Sequence, residues 1–553
     1  MPQDGQGLDR NTWQRFKILL GILARSKILS FLAPWLLVLV VFSLSIAYVF
    51  GELAKIRGAI VTELTLGNQS GFYSAVFWFL GIAATLIFLD VFKRFFEDRL
   101  VQKLRKQVNI TFLTHYLKPN VSYLIGLFRQ VDNPDQRIEE DTRNFCAQTI
   151  SFSLILVGAL TTLVVQGKIL FEQNRVLPFV AFGYAFLGSL LTYFVGRKLI
   201  TLNWLQLMKE ANYRFKLISL RENAEAINFY KKNAKEITKT RQYLREAVRN
   251  LLNIIAVNRN LGLVTGTYNH LIWLLPHLIL AKSVLSGQKT YGEVITAAIA
   301  FEHFLGALSL IVANFQNLSS YAAVINRLGD LYEKMLNLAD RPLKISHADF
   351  VKFQNVTIRV PSSGQILVRN LSFELTEGGL LIRGDSGVGK SSIFRVLATL
   401  WDSFDGQVTA PPFEKSFYVP QRPYVFQGSF LDQILYSCSH VPSLKEVDEV
   451  INFVGLRYAV DKHGGLGSTQ DWPKVLSIGD MQKLAWARLF LAKPYFAFLD
   501  EATTAIDLEL EAKFYKELQK FAKLWISIGL RDSLLQFHTK QLILQGNGEW
   551  QIK

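Results

Sequence analysis

The run GDSGVGKSS, Gly384 to Ser392, meets the phosphate-loop pattern GxxxxGK[ST] in full. In that pattern a strand turns sharply into a helix, and successive backbone N–H groups face the α and β phosphates of a nucleotide. Gly384, Gly387 and Gly389 permit the turn, and Asp385, Ser386 and Val388 complete the loop. Lys390 brings a charge to the β and γ phosphates, Ser391 offers a hydroxyl to Mg²⁺, and Ser392 carries the loop into the helix. The flanks agree: LLIR before the loop is strand-like and SSIFRVLATLW after it is helical.

Composition divides the chain. At 553 residues it exceeds one ordinary domain, and its 50% hydrophobic content is high for a wholly soluble protein. The excess lies before residue 320. Apolar runs long enough to span a bilayer as helices occur at Leu29 to Phe50, Tyr73 to Val91, Thr149 to Val165, Leu177 to Val195, Leu261 to Leu280 and Val294 to Ala313. They predict six spans in contact with membrane lipid. The first is too long, and too far behind a polar segment, to be a cleaved signal peptide.

Charge gives the orientation. Loops near Glu52 to Gly71, Gly167 to Val176 and Ser283 to Gly292 hold few basic residues. The N-terminal segment (Arg10, Arg15, Lys17, Arg25, Lys27) and the stretches after spans two and four (Lys93, Arg94, Arg99, Lys103; Arg197, Lys198, Lys209, Arg214) are rich in them. The positive-inside rule then puts both termini in the cytoplasm. Much of the net charge of +16 is accounted for in this way. No basic groove interleaved with aromatics is evident, so nucleic acid is not an expected partner. Two cysteines, Cys146 and Cys438, both on the cytoplasmic side in this topology, predict no disulfide framework.

From about Ile345 strand and helix patterns alternate, which predicts a separate α/β domain. The expected division is a cytoplasmic segment at 1–28, a six-helix membrane domain with long helical extensions at 29–335, a linker at 336–348 and a nucleotide-binding domain at 349–553. The sixth span is expected to run on as a helix into the linker. The apolar strand FAFLDE ends in Asp500, suited to holding Mg²⁺ through water, and Glu501, suited to orienting or deprotonating a water. Gln421, in FYVPQRPYVF, lies 31 residues past Lys390, where an amide could sense metal and water.

In order and spacing these runs resemble the ATP-binding cassette of ABC transporters, with Walker A at 384–391, Q-loop at 421, signature at 476–480, Walker B at 496–500 and D-loop TAID at 504–507. NPDQRIEEDTRNF at 133–145, EANYRF at 210–215, RENAEAINFY at 221–230, FYVPQRPY and SIGLRDSLLQFH narrow the resemblance further. They resemble a subfamily that includes peroxisomal acyl-CoA half-transporters, lysosomal and mycobacterial vitamin B12 transporters, and bacterial BacA/SbmA-like proteins. The resemblance implies an exporter-like six-span domain of type IV fused to one cassette, working as a homodimer. Each ATP would be completed by the partner copy's Ser477 and Gly479, with Asp507 of the D-loop beside it.

Departures carry as much weight as matches. The signature reads LSIGD, with Ile478 and Asp480 where many cassettes carry glycine and glutamine or glutamate. Val360 stands where many cassettes stack adenine on tyrosine. Leu530 takes the place of a histidine that contacts the γ phosphate in related sequences, and leucine neither donates nor accepts a hydrogen bond. His538 corresponds to a different histidine and is no replacement.

Three readings follow: an ATP-driven transporter for a hydrophilic or amphipathic solute such as cobalamin or a peptide; a permease driven by a proton gradient with a regulatory cassette; and a membrane-tethered cassette ATPase. The third is disfavoured by the single cassette. Glu302 in the sixth span reads equally as a solute or proton site or as an interhelical hydrogen bond. His270, His277 and His303 read as structural. A bacterial inner membrane is the expected location.

Overall fold

A computed structural model describes residues 10–25, 28–128, 131–310, 314–339, 341, 344–438 and 440–553. Two compact units emerge. One comprises residues 1–113 and 133–332; the other comprises 114–132 and 333–553.

The first unit is built on long helices: Ile28–Thr65, Gln69–Tyr116 (its last turn in the other unit), Thr142–Gln173, Leu177–Glu222, Asn233–Leu285 and Tyr291–Leu308. Every apolar run singled out in the sequence lies on one of these, apart from the end of the last run, which passes Leu308. Among the described residues, three helical stretches are long and apolar enough to cross a membrane: Ala33–Thr65, Gln69–Tyr116 and Pro134–Gln173. A shorter apolar stretch occupies Leu177–Leu191. The rings of Phe77, Trp78 and Phe88 are exposed on the second of these helices, as expected of a lipid-facing surface.

Two expectations change here. Segments 52–71 and 167–176, read as loops, are helical to Thr65 and Gln173. Buried Leu53, Ala54, Ile169 and Leu170 give those extensions a packed face, and packing decides a helix more than the polarity of its outer side does. The sixth run does not continue unbroken. Its helix ends at Leu308 and a new one spans Phe315–Ala339. Ser309 caps the first, its N–H donating to the Leu305 carbonyl at 2.9 Å.

Gly58 and Gly292 let the first and sixth of these helices meet at backbone contact. A Cβ on Gly292 would stand 2.1 Å from the Gly58 carbonyl oxygen. Small residues at a crossing are how membrane helices approach closely, since lipid offers no hydrophobic drive between them.

The second unit contains strands β1 (Ile345–His347), β2 (Val351–Arg359), β3 (Ile366–Leu375), β4 (Gly378–Gly384), β5 (Phe404–Ala410), β6 (Ser416–Val419), β7 (Gln427–Ser429), β8 (Thr469–Asp471), β9 (Phe496–Asp500), β10 (Leu524–Ile528), β11 (Lys540–Gly546) and β12 (Glu549–Ile552). A four-stranded sheet runs β1-β5-β2-β3, and a six-stranded sheet runs β12-β11-β4-β10-β9-β6. In the latter β11, β4, β10, β9 and β6 are mutually parallel. Their near-continuous apolar sequences, such as FAFLD and LWISI, are buried on both faces, as a covered parallel sheet requires. β1 begins inside the 336–348 stretch read as linker.

Residues 114–132 belong to this unit through the helix Val121–Phe128. Asn120 donates to the Thr399 carbonyl at 2.9 Å, and Trp401 Nε1 donates to the Tyr123 hydroxyl at 2.9 Å.

Candidate functional site

The parallel sheet gathers the motif residues. The loop 384–391 follows β4, Leu530 follows β10, Asp500 ends β9 with Glu501 next, and Gln421 follows β6. These strands are neighbours in the order β4-β10-β9-β6, so four distant stretches of sequence emerge side by side at one edge. Ligands of open α/β sheets bind at that carboxyl edge.

The phosphate loop is shaped for an anion. Gly387 and Gly389 have φ of 85° and 107°, in the left-handed region open to glycine. Asp385, Ser386 and Gly387 face outward, while Val388 packs against the core beneath. Lys390 is 7% exposed and its Nζ donates to the carbonyls of Gly384 and Asp385 at 2.7 Å each. No carboxylate lies at salt-bridge distance from it among the described residues, so its charge is met by backbone carbonyls alone. Ser392 is buried in the first turn of the helix Lys390–Leu397.

Beside the loop, Ser391 Oγ donates to Asp500 Oδ1 at 3.3 Å. Burial pushes the Asp500 carboxyl above its ordinary range, with the Ser391 hydrogen bond acting in the opposite direction. A hydroxyl and a desolvated carboxylate together suit a hard divalent cation, so the donor set fits Mg²⁺. Glu501 adopts φ 47° and its N–H donates to the Ile528 carbonyl at 3.0 Å, which ties it to β10. Gln421 Nε2 donates to Glu501 Oε2 at 2.8 Å. Held backbone strain of this kind costs about 1–3 kcal/mol and persists where neighbours fix it.

Leu530 is 60% exposed, and Arg383 holds its carbonyl at 3.0 Å and pairs with Asp532 at 2.8 Å. The segment is anchored, but its side chain has no hydrogen-bonding group. His538 is engaged in the core: its Nε2 lies 2.8 Å from Ser527 Oγ and its Nδ1 2.6 Å from the Leu534 carbonyl. Tyr515 donates to the same Ser527 at 3.0 Å. His538 therefore has no free nitrogen for a phosphate.

Ser477 caps the helix Ile478–Ala492, and Gly479 lies in its first turn, where a Cβ would come 2.9 Å from the Ala505 carbonyl oxygen. Asp507 caps the helix Leu508–Leu518, accepting from the Leu510 N–H at 2.8 Å. Within one copy these residues join the site through Gln482, which reading by motif overlooked. Gln482 donates to the Glu501 carbonyl at 3.2 Å and to Thr504 at 2.9 Å, and accepts from the Ala505 N–H at 2.9 Å. Arg531 adds bonds to the Ile506 and Thr504 carbonyls at 2.8 and 3.0 Å. Arg488 pins the stretch after Gln421 through the Tyr424 carbonyl at 2.7 Å. A polar side chain on an otherwise apolar helix face was the available signal for Gln482 and Arg488.

In the helical unit the run 133–145 forms a π-turn, Arg137–Asp141, entering the helix Thr142–Gln173. Arg137 pairs with Asp330 at 3.2 Å, and Asp141 takes Arg327 in two bonds of 2.8 and 2.6 Å. The run 221–230 forms the short helix Ala224–Phe229 between two long ones.

Comparison with known proteins agrees with this architecture. The family described as ABC transporter transmembrane region 2 matches residues 19–285, and that described as ABC transporter matches residues 368–504. An ABC transporter ATP-binding protein of Synechocystis is 35% identical over 506 residues, covering 88% of this chain and 76% of the relative. The chloroplastic ABC transporter D family member 2 of Arabidopsis thaliana is 33% identical, covering 86% and 78%. A lysosomal cobalamin transporter of Mus musculus is 30% identical, covering 85% of each. With a helical membrane region and an α/β cassette on one polypeptide, and relatives of this kind along most of its length, the chain belongs to the ABC transporter family.

Proposed function

We propose that the chain is a half-transporter: six spans within 29–335, one cassette at 349–553, and a homodimer as the working unit. It hydrolyses ATP at two composite sites to move a hydrophilic or amphipathic solute, such as cobalamin or a peptide, across a bacterial cell membrane with the cassette in the cytoplasm. The observation that carries this reading is the convergence of Lys390, the Ser391–Asp500 pair and the Gln421–Glu501 pair on adjacent strand ends, in a chain with one cassette. The cobalamin-transporting relative supports the solute class.

In this reading Lys390 and the loop N–H groups bind the phosphates, and Ser391, Asp500 and Gln421 would hold Mg²⁺, which would supply charge neutralisation to the triphosphate. Glu501 orients the attacking water, and Gln421 holds one of its oxygens in place. Ser477 and Gly479 of a second copy close the site. Leu530 leaves the far end of the triphosphate without one hydrogen-bonding side chain, so hydrolysis is slow.

ATP turnover in proteoliposomes tests this. Leu530→His should hydrolyse about 10²-fold faster than the natural chain, the usual worth of one transition-state contact. Equal rates would refute slow hydrolysis from this cause. The same exposed leucine favours a second reading, a proton-driven permease with a regulatory cassette. Solute uptake that follows an imposed pH gradient and ignores the Lys390→Ala change would establish that alternative instead.

A further inference from the structure

The signature turn holds an arrangement that the ATP site does not explain. Ser477 Oγ accepts from the Asp480 N–H at 3.2 Å and donates to Asp480 Oδ2 at 2.6 Å, while the Ser477 N–H reaches the same oxygen at 3.3 Å. This is a capping box, closed by an aspartate in place of the usual longer glutamate or glutamine. The other carboxylate oxygen, Oδ1, takes a short hydrogen bond from the hydroxyl of Tyr458, on the separate helix Arg457–Lys462. Asp480 is 7% exposed, so these donors, and not bulk water, satisfy its carboxylate oxygens. The bond to Asp480, then burial, pushes the Tyr458 phenol up to about 12, so it stays a donor at any physiological pH.

A serine hydroxyl has one hydrogen. While Ser477 gives it to Asp480, the turn presents lone pairs to an approaching oxyanion, and acceptor meets acceptor. For Ser477 to serve a terminal phosphate, that hydrogen must swing away from Asp480. The donor on Oδ1 makes the release cheaper, because it draws charge from the carboxylate and keeps it fixed.

We propose that Tyr458 is a positioning residue for the trans half of the ATP site: it holds Asp480 so that Ser477 can turn its hydroxyl hydrogen to the phosphate of a nucleotide bound by a second copy. This rests on the composite-site reading above. The contact belongs to this chain's LSIGD turn and the short helix beside it.

The test is hydrolysis as a function of MgATP concentration by the full chain in proteoliposomes, with thermal unfolding measured alongside. Ser477→Ala, Tyr458→Phe, Asp480→Asn and the double variant Y458F/D480N are compared. Y458F should raise KM about threefold to tenfold, the net range of one ordinary hydrogen bond because the tyrosine acts through Asp480, with a smaller change in kcat. In the D480N background the tyrosine should no longer matter, because a neutral amide competes weakly for the Ser477 hydrogen. An unchanged KM in Y458F, or an equal effect with and without Asp480, overturns the proposal, as does an effect confined to the unfolding midpoint. Ser477→Ala separates the two levels. If it hydrolyses like the natural chain, the composite site itself fails; if it is impaired while Y458F is not, only the role of Tyr458 fails.

Discussion

Leu530 and His538, eight positions apart, sit in opposite environments. The leucine is exposed at the end of the sheet, whereas the histidine lies in the core between Ser527 and Leu534. Burial lowers the His538 pKa from 6.5 to about 4, so the folded chain binds fewer protons there than the unfolded chain between those values. Its contribution to stability is therefore full above about pH 6.5, falls as pH drops, and is lost below about 4. The loss amounts to at most about 3.5 kcal/mol. Urea unfolding followed at pH 7 and pH 4.5 should show a smaller pH dependence in His538→Gln than in the natural chain. Equal slopes would show that the imidazole is not held neutral. The motif reading identified the leucine as a departure, but the histidine's role required its buried partners.

At the scale of elements, strand order does what no local pattern states. β4, β10, β9 and β6 are adjacent in the sheet though far apart in sequence, and their ends bring together Lys390, Leu530, Asp500 and Gln421. The strands at LLIR and FAFLDE were legible as short apolar runs, but the pairing of all four depends on burial across the whole sheet. Helix ends were less legible. The break after Leu308 lies within an apolar stretch whose composition predicts continuity, and Ser309 closes the helix there through its backbone N–H. Helix crossings are equally invisible to composition. Because Gly292 and Gly58 meet backbone to backbone, Gly292→Leu should cost about 1–3 kcal/mol through overpacking. A lower midpoint of thermal aggregation in detergent would register it, and a Gly292→Leu chain as stable as the parent would contradict the close crossing.

For the whole molecule, composite sites imply complementation. A dimer that pairs one Lys390→Ala copy with one Ser477→Ala copy has both lesions in one site and leaves the other intact. Co-expressed copies, purified through two different tags, should hydrolyse ATP faster than either variant alone. A mixed dimer no more active than its components would place both residues in the same copy's site. The sequence by itself determined the phosphate-loop pattern, the division into an apolar helical region and an α/β region, and the family, because each rests on local signals: a glycine-lysine loop, apolar length and motif order. Only the tertiary structure decided that residues 114–132 pack with the cassette, that Gln482 ties the signature helix to Glu501 and the D-loop while Arg531 holds the D-loop, and that Tyr458 closes on Asp480. Those outcomes rest on contacts between residues remote in sequence, each chosen by the need to pair a buried polar group, and that need exists only once the chain is folded.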